Sequence, residues 1–292
     1  MVNNIFNIEA ASCGQGIVLP GIALRRYVKY FWYYSPQQMQ RASSHFRILP
    51  SGCPGLIFHH DNGKAEVALL DGFKYPVAFV HGQDTRPCIN VDNGNSTIVS
   101  VRLHPTALKT LFNIDAHEAT DTVIPLDELA RYNLTEQLLN AKHIFETIEL
   151  ISIFLLHRIN SIKFRDLIVE KSINTIVENM RFITPSQLAS KFYISQRHFE
   201  RKFKQFVGMS PEKYIQVMTF QRSINLIQQS NFTSLTDLAY ELGFADQSHF
   251  IRQFKAFSGM RPKEAFFKLS RPEYAAPRIL QKKFKLFRFI YS

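Results

Sequence analysis

Residues 195–211 read SQRHFERKFKQFVGMSP, and residues 246–262 read DQSHFIRQFKAFSGMRP. The second stretch begins 51 positions after the first, and ten of the 17 aligned positions are identical. A repeat of that density constrains the fold before composition does, because each copy must build the same local unit. Ser195 and Asp246 stand at equivalent positions, and both residue types are favoured N-caps. Phe199, Phe203 and Phe206 in one copy, and Phe250, Phe254 and Phe257 in the other, follow the i, i+4, i+7 spacing of a single helical face. Gly208 and Gly259 then stop each helix. Met-x-Pro follows in both copies and puts Pro211 and Pro262 at the first turn of another helix, where proline is tolerated.

The residues off the phenylalanine stripe carry the chemistry. They are Gln196, Arg197, Glu200, Arg201 and Lys204 in the first copy, and Gln247, Ser248, Ile251, Arg252 and Lys255 in the second. Arg can bridge guanine O6/N7 and Gln can bridge adenine N6/N7, so long donors near a helix N-terminus suit a major-groove reader. Each copy is preceded by a shorter helix. The first is Pro185–Lys191, with Thr184 as cap. The second is Leu235–Leu242, with Ser234 and Asp237 as a capping pair and Gly243 at the turn. Short helix, turn and second helix make a helix-turn-helix unit. Residues 212–230 fit one connecting helix of about 28 Å, close to the ~34 Å between successive major grooves.

Charge follows the same division. Residues 1–162 hold 13 Lys/Arg against 14 Asp/Glu, a balance of −1, and residues 163–292 hold 22 against 10, a balance of +12. Only the second part is built to meet a polyanion, with nucleic acid the first candidate and a membrane surface the second. A basic helical bundle with purely structural phenylalanines would share the stripes. It would not explain the duplicated Gln and Arg positions.

The length of 292 residues suggests about two domains. Residues 45–103 read as β structure, with runs at 46–49, 55–60, 66–70, 77–80 and 97–103 separated by Asp-, Asn- and Gly-rich turns. Short strands at that spacing predict a small barrel or sandwich. Residues 126–160 carry helical periodicity, with Leu134, Leu138, Phe145, Ile148 and Ser152 on one stripe. The run from Ile148 to Leu156 is apolar nearly all round, which predicts burial on several sides, against the barrel and either a second subunit or more of the same core.

Other chemistries find little support. His59 and His60 are adjacent on a strand and point to opposite faces, so no metal site is expected from the β-region histidines. There is no GxSxG elbow, P-loop or GxGxxG motif, and no catalytic set or cofactor is expected. Cys13, Cys53 and Cys88 form no CxxC pair and are read as reduced thiols. Residues 1–16 lack a charged n-region and an apolar h-region, and no apolar run reaches about 18 residues, so the protein is expected in the cytoplasm.

The stretch LAYELGFADQSHFIRQFKAFSGMRPKEAF (238–266) closely resembles the signature of the AraC family of bacterial transcription regulators. The resemblance covers residues 166–268, about a third of the chain. It implies sequence-specific DNA binding by two helix-turn-helix units on a shared helix. By position it assigns base reading to Arg197, Glu200 and Arg201 in the first unit and to Gln247, Ser248 and Arg252 in the second. The helix N-termini at Ser195 and Asp246 would approach phosphates. The full candidate set is Ser195, Gln196, Arg197, Glu200, Arg201, Lys204, Asp246, Gln247, Ser248, His249, Arg252 and Lys255. Two positions depart from the family pattern. Thr219 stands where the connecting helix often carries Arg, and Arg261 replaces the Ser or Thr usual before this Pro.

ILPSGCPGLIFHHDN, FVHGQ and VRLHPTALKTLF in the first half are similar to sensor domains of a family subgroup with a cupin-like β domain and a helical extension. In that subgroup the domain binds a small effector or dimerises. The expectation is thus a two-domain α+β protein. Residues 1–160 would be a cupin-like effector-binding or dimerisation domain, residues 161–270 an all-α reader of double-stranded promoter or operator DNA, and residues 271–292 a basic aromatic tail. RNA polymerase and a second copy of the chain are possible partners, and no membrane partner is expected. In the tail, Lys282, Lys283, Lys285 and Arg288 alternate with Phe284, Leu286, Phe287 and Phe289, which suits a solvated tail, a non-specific DNA contact, or a membrane or partner contact. The rivals are a DNA-repair methyl acceptor using Cys88, a cupin-type metalloenzyme and a nucleoid-type protein that binds all DNA alike.

Overall fold

The computed structural model describes residues 6–12, 14–35, 44–92, 94–130, 133–180, 182–229 and 232–269. Cys13 and the tail 271–292 lie outside them. The first half holds ten strands among the described residues: β1 (Phe6–Ser12), β2 (Gln15–Pro20), β3 (Val28–Tyr34), β4 (Ser44–Ile48), β5 (Gly55–His60), β6 (Ala68–Leu69), β7 (Ala78–His81), β8 (Cys88–Asp92), β9 (Thr97–Leu103) and β10 (Val123–Pro125). They pair antiparallel as two sheets, in the orders β1-β2-β3-β9-β5-β7-β10 and β4-β8-β6. Two sheets of antiparallel strands are what a small barrel or sandwich requires, and among the described residues the pairing does not close them into a ring.

β9 shows why these residues form a sheet. Val99, Val101 and Leu103 are fully buried while Ile98, Ser100 and Arg102 on the alternate face are half-buried, which is the period of two that a pleated strand imposes. The Val99 face packs with Leu56, Phe58 and Val80 against α1 (Ala107–Phe112) and against the helical extension that follows. The sequence reading placed β structure at 45–103. The sheet instead begins at Phe6, and β1, β2, β3 and β10 lie outside that span, while β8 falls within it. The strand expected at 66–70 contracts to Ala68–Leu69, because the chain turns at Asp71 and Gly72 directly afterwards.

The helical stretch 126–160 is three helices: α2 (Leu126–Leu129), α3 (Leu134–Leu139) and α4 (Ile144–Asn160). Asn133 sits in the left-handed region at φ 44° before α3, and Asn140 ends it. Asparagine favours such positions because its side chain competes with the backbone for hydrogen bonds. His143 then caps α4 by accepting from the Glu146 N–H. Leu134, Leu138, Ile148 and Ser152 are buried, but Ile153 is 41% exposed. The run 148–156 is thus covered on several sides and open at Ile153.

The second half is helical: α5 (Leu167–Asn179), α6 (Pro185–Lys191), α7 (Gln196–Val207), α8 (Pro211–Gln228), α9 (Leu235–Glu241), α10 (Gln247–Ser258) and α11 (Pro262–Leu269). A second hydrophobic core, running from Val169 to Ala265, holds it together. Its middle is α8, which receives both phenylalanine stripes. Phe203 of α7 meets Tyr214 with ring centroids 5.6 Å apart, and Phe254 of α10 meets Phe220 at 5.3 Å. Phe199, Phe203, Phe206, Phe250, Phe254 and Phe257 are all buried, as the stripes predict. Among the described residues no helix is long and apolar enough to cross a membrane.

Candidate nucleic-acid interface

Each unit starts its second helix with a satisfied cap. The Ser195 hydroxyl accepts from the His198 N–H at 3.3 Å, and the Asp246 carboxylate accepts from the His249 N–H at 2.7 Å. Gly208 and Gly259 close α7 and α10 in the left-handed conformation, at φ 98° and 69°. The short helices are capped as expected. Thr184 and Gln187 form a reciprocal capping box. Ser234 accepts from the Asp237 N–H, while the Asp237 carboxylate takes the Ser234 and Thr233 hydroxyls and so lies low in the carboxylate range. Pro211 opens α8, and Ser210 before it is a cap that the sequence reading passed over.

With the phenylalanines turned inward, the polar set is left outward. Ser195, Gln196, Arg197, Arg201 and Lys204 are exposed, and Glu200 is half-buried. In the second unit Asp246, Ser248, His249, Arg252 and Lys255 are exposed, and Gln247 is half-buried. Ile251, placed outward by the sequence reading, instead leans on the core. In the first unit Ser195, Arg197, Glu200, Arg201, Lys204 and Ser210 line a concave surface of about 580 Å³. One carboxylate there faces three cations, and it is engaged by Gln196, whose Nε2 donates to Glu200 Oε1 at 2.7 Å. Arg201 is hydrogen-bonded to His198 Nδ1 at 3.1 Å, and Thr236 of α9 donates to Gln247 Oε1 at 3.1 Å. The short helix of the second unit thus fixes the glutamine at the start of its long one.

Lys202, on the back of α7, is drawn away from this face. It pairs at 2.6 Å with Asp166, the buried cap of α5. Thr219 is buried within α8, and the described cation near it, Arg222, pairs at 3.6 Å with Glu241.

Tests of the other chemistries fall elsewhere. Cys88 is half-buried, and burial pushes its thiol up to about 11, with Asp84 adding to the effect. That is the wrong direction for a thiolate nucleophile. His59 is buried on β5 and its neighbour His60 half-buried, as opposite faces of one strand require. Among the described residues Asp115, His117 and Glu118 lie within metal-ligating reach of one another. Asp115 is already engaged by Lys109 at 2.6 Å and by Gln205 at 3.0 Å.

Residues 188–266 match a family model described as a helix-turn-helix domain, and residues 17–125 match one described as a domain of unknown function, DUF6597. Over 77 residues the chain is 32% identical to the HTH-type transcriptional activator RhaS of Escherichia fergusonii, a match that takes in 26% of this chain and 27% of that protein. The chain therefore spans about a quarter of the length of the curated relatives it matches. Among solved structures it is similar to ToxT from Vibrio cholerae, with 14% identity, 78% of this chain and 98% of that chain covered, and a TM-score of 0.46. It is also similar to a regulator with an AraC-type DNA-binding domain from Chromobacterium violaceum, with 24% identity, 36% and 94% coverage, and a TM-score of 0.34. Two capped, duplicated helix-turn-helix units on one connecting helix, together with the helix-turn-helix match at residues 188–266 and the RhaS relatives, make the C-terminal part of this chain similar to the DNA-binding part of AraC-family bacterial transcriptional regulators.

Proposed function

We propose that the chain is a sequence-specific DNA-binding transcriptional regulator. Residues 161–270 read duplex DNA, and residues 1–160 receive a small-molecule effector or pair with a second copy. The observation that carries this reading is the duplication itself. Two equivalent helices each present a capped N-terminus and at least two exposed cations, and α8 joins them. Arg201 and Arg252 are the strongest base-reading candidates, because Arg offers the bidentate fork that guanine accepts. Gln196, Arg197, Glu200, Gln247 and Ser248 flank them. Lys204, Lys255 and His249, further out on the same faces, suit phosphates, as do the helix N-termini at Ser195 and Asp246. The RhaS relatives are named as transcriptional activators, and contact with RNA polymerase at a promoter belongs to the same proposal.

The test is selection of bound duplexes from a random pool with the full chain at near-physiological salt. The expected product is a split motif with half-sites about 10 bp apart. On that site Arg201→Ala or Arg252→Ala should lose about 1–3 kcal/mol and relax base preference at one position. Equal loss on every sequence would reassign these arginines to phosphates. Binding that enriches no motif, and that weakens steeply with salt, would leave only a polyanion-binding protein.

A further inference from the structure

The two glycines that end the recognition helices do more than close them. Gly208 and Gly259 are equivalent in the repeat, and both lie against the N-terminal domain. Under the first, Thr120 Oγ1 donates to the Gly208 carbonyl at 2.8 Å. Gln205 of α7 donates to Asp115 at 3.0 Å, and a Cβ on Gly208 would stand 2.9 Å from the Ala116 carbonyl oxygen. Under the second, Arg47 Nη1 donates to the carbonyl of Ser258, the last residue of α10, at 2.5 Å. A Cβ on Gly259 would run into the same guanidinium and approach Pro87. A cation on a helix C-terminus is favoured by the helix dipole and makes a charge-assisted hydrogen bond.

The joint between the two units is held as well. Gln221, midway along α8, donates to the Pro50 carbonyl at 2.5 Å, and Gly52 packs on Tyr214 and Met218. Arg102 on β9 in turn fixes this turn by donating to Ser51 Oγ at 2.7 Å. The N-terminal domain therefore grips the same point of each reader from two different places, the end of β4 and the 3-10 turn Ala116–Ala119 with Thr120 after it. It grips the connecting helix between them. α8 alone could bend or twist and let the recognition helices drift apart. Bracing both of their ends on a third body removes that freedom.

We infer that Arg47 and Thr120, which lie outside the helix-turn-helix region, are positioning residues that set the half-site spacing the two recognition helices accept. The inference rests on the DNA-reading proposal. Adding one base pair between half-sites moves the second by about 3.4 Å and rotates it by about 34°, a change that a braced pair of readers does not follow.

The experiment uses the full chain and the selected operator rebuilt with its half-sites one base pair closer and one further apart. The wild type should prefer its own spacing by at least ~10-fold. In the Arg47→Ala/Thr120→Ala double variant that preference should fall to ~2–3-fold. Arg47→Lys and Thr120→Ser, which keep the donors, should restore most of it. Circular dichroism and an unfolding curve on each variant verify that it is folded. Uniform weakening on all three operators with an unchanged preference overturns the inference and leaves these contacts as ordinary stabilising ones. A wild type with no spacing preference overturns both the inference and the two-unit reading beneath it.

Discussion

Tyr193 ends the turn of the first unit at φ 55° and is 97% exposed. Its counterpart in the second unit is Gly243 at φ 84°, as the matching hydrogen bonds from the Ile194 and Phe244 amides to the Ala189 and Ala239 carbonyls show. A side chain in the left-handed region costs about 1–2 kcal/mol, and glycine costs about 0.5–1 kcal/mol through the extra freedom it has when unfolded. Tyr193→Gly should therefore raise stability by about 0.5–1 kcal/mol, read from the denaturant midpoint. A loss of stability would mean that the ring makes contacts its exposure does not suggest. Tyr193 lies just before the repeat, which says nothing of its strain. The two turns differ by one residue, so Tyr193 aligns with Phe244 at the offset of the repeat and with Gly243 in space. Arg47 and Thr120 were equally silent in the sequence, because each gains its role from a partner more than 80 positions away.

At the scale of elements, α7 and α10 were legible almost to the residue. A cap, a phenylalanine stripe and a glycine stop are local signals, and they occur twice. What they did not disclose is that the two stops differ in surroundings. Left-handed φ charges either alanine replacement about 1–2 kcal/mol. At Gly208 the new methyl also meets a backbone carbonyl, whereas at Gly259 it meets the far end of the Arg47 side chain, which can swing. Gly208→Ala should therefore be the more destabilising by about 1–3 kcal/mol, as for overpacked sites. Denaturant unfolding of the two variants checks the order, and the reverse order would contradict the mounting described above. The helices after residue 126 were less legible. Asn133 and Asn140 interrupt them, yet the apolar residues stay in phase across both breaks, so periodicity alone merges three helices into one.

For the whole molecule, buried titratable groups of the N-terminal domain set opposing pH dependences. Burial lowers His59 and His81 to about 4, and burial with Lys29 nearby lowers His104 to about 3. The unfolded chain binds protons on these residues first, so stability falls as pH drops from about 6.5 toward 4. Asp84 does the reverse. Burial raises it to about 7 despite the opposing Arg102 guanidinium, so its folded form holds a proton that the unfolded form has lost. Its contribution is present below the unfolded value near 4 and disappears as pH rises through about 7. Three histidines outweigh one carboxyl, so unfolding midpoints should rise from about pH 4.5 to about neutrality and level off above it. Asp84→Asn should steepen that rise, because the opposing contribution is then gone. A profile that Asp84→Asn leaves unaltered would show that this carboxyl is not sealed from water when folded.

By itself the sequence determined the C-terminal unit: its two helix-turn-helix pairs, their caps and stops, the buried stripes and the outward cationic faces. Each of these depends on residues within one or two helical turns of one another, and period, capping chemistry and charge express such relations directly. The tertiary structure alone decided how the ten strands of the described residues, four of them outside the expected β region, pair into two sheets, which face α4 leaves outward, and how the first half braces the ends of both recognition helices. Those outcomes depend on pairings across the chain, such as Val18 with Phe31, Ser51 with Arg102 and Arg47 with Ser258. No local pattern encodes such a pairing, because either partner reads as an ordinary strand or loop residue until the other is brought beside it.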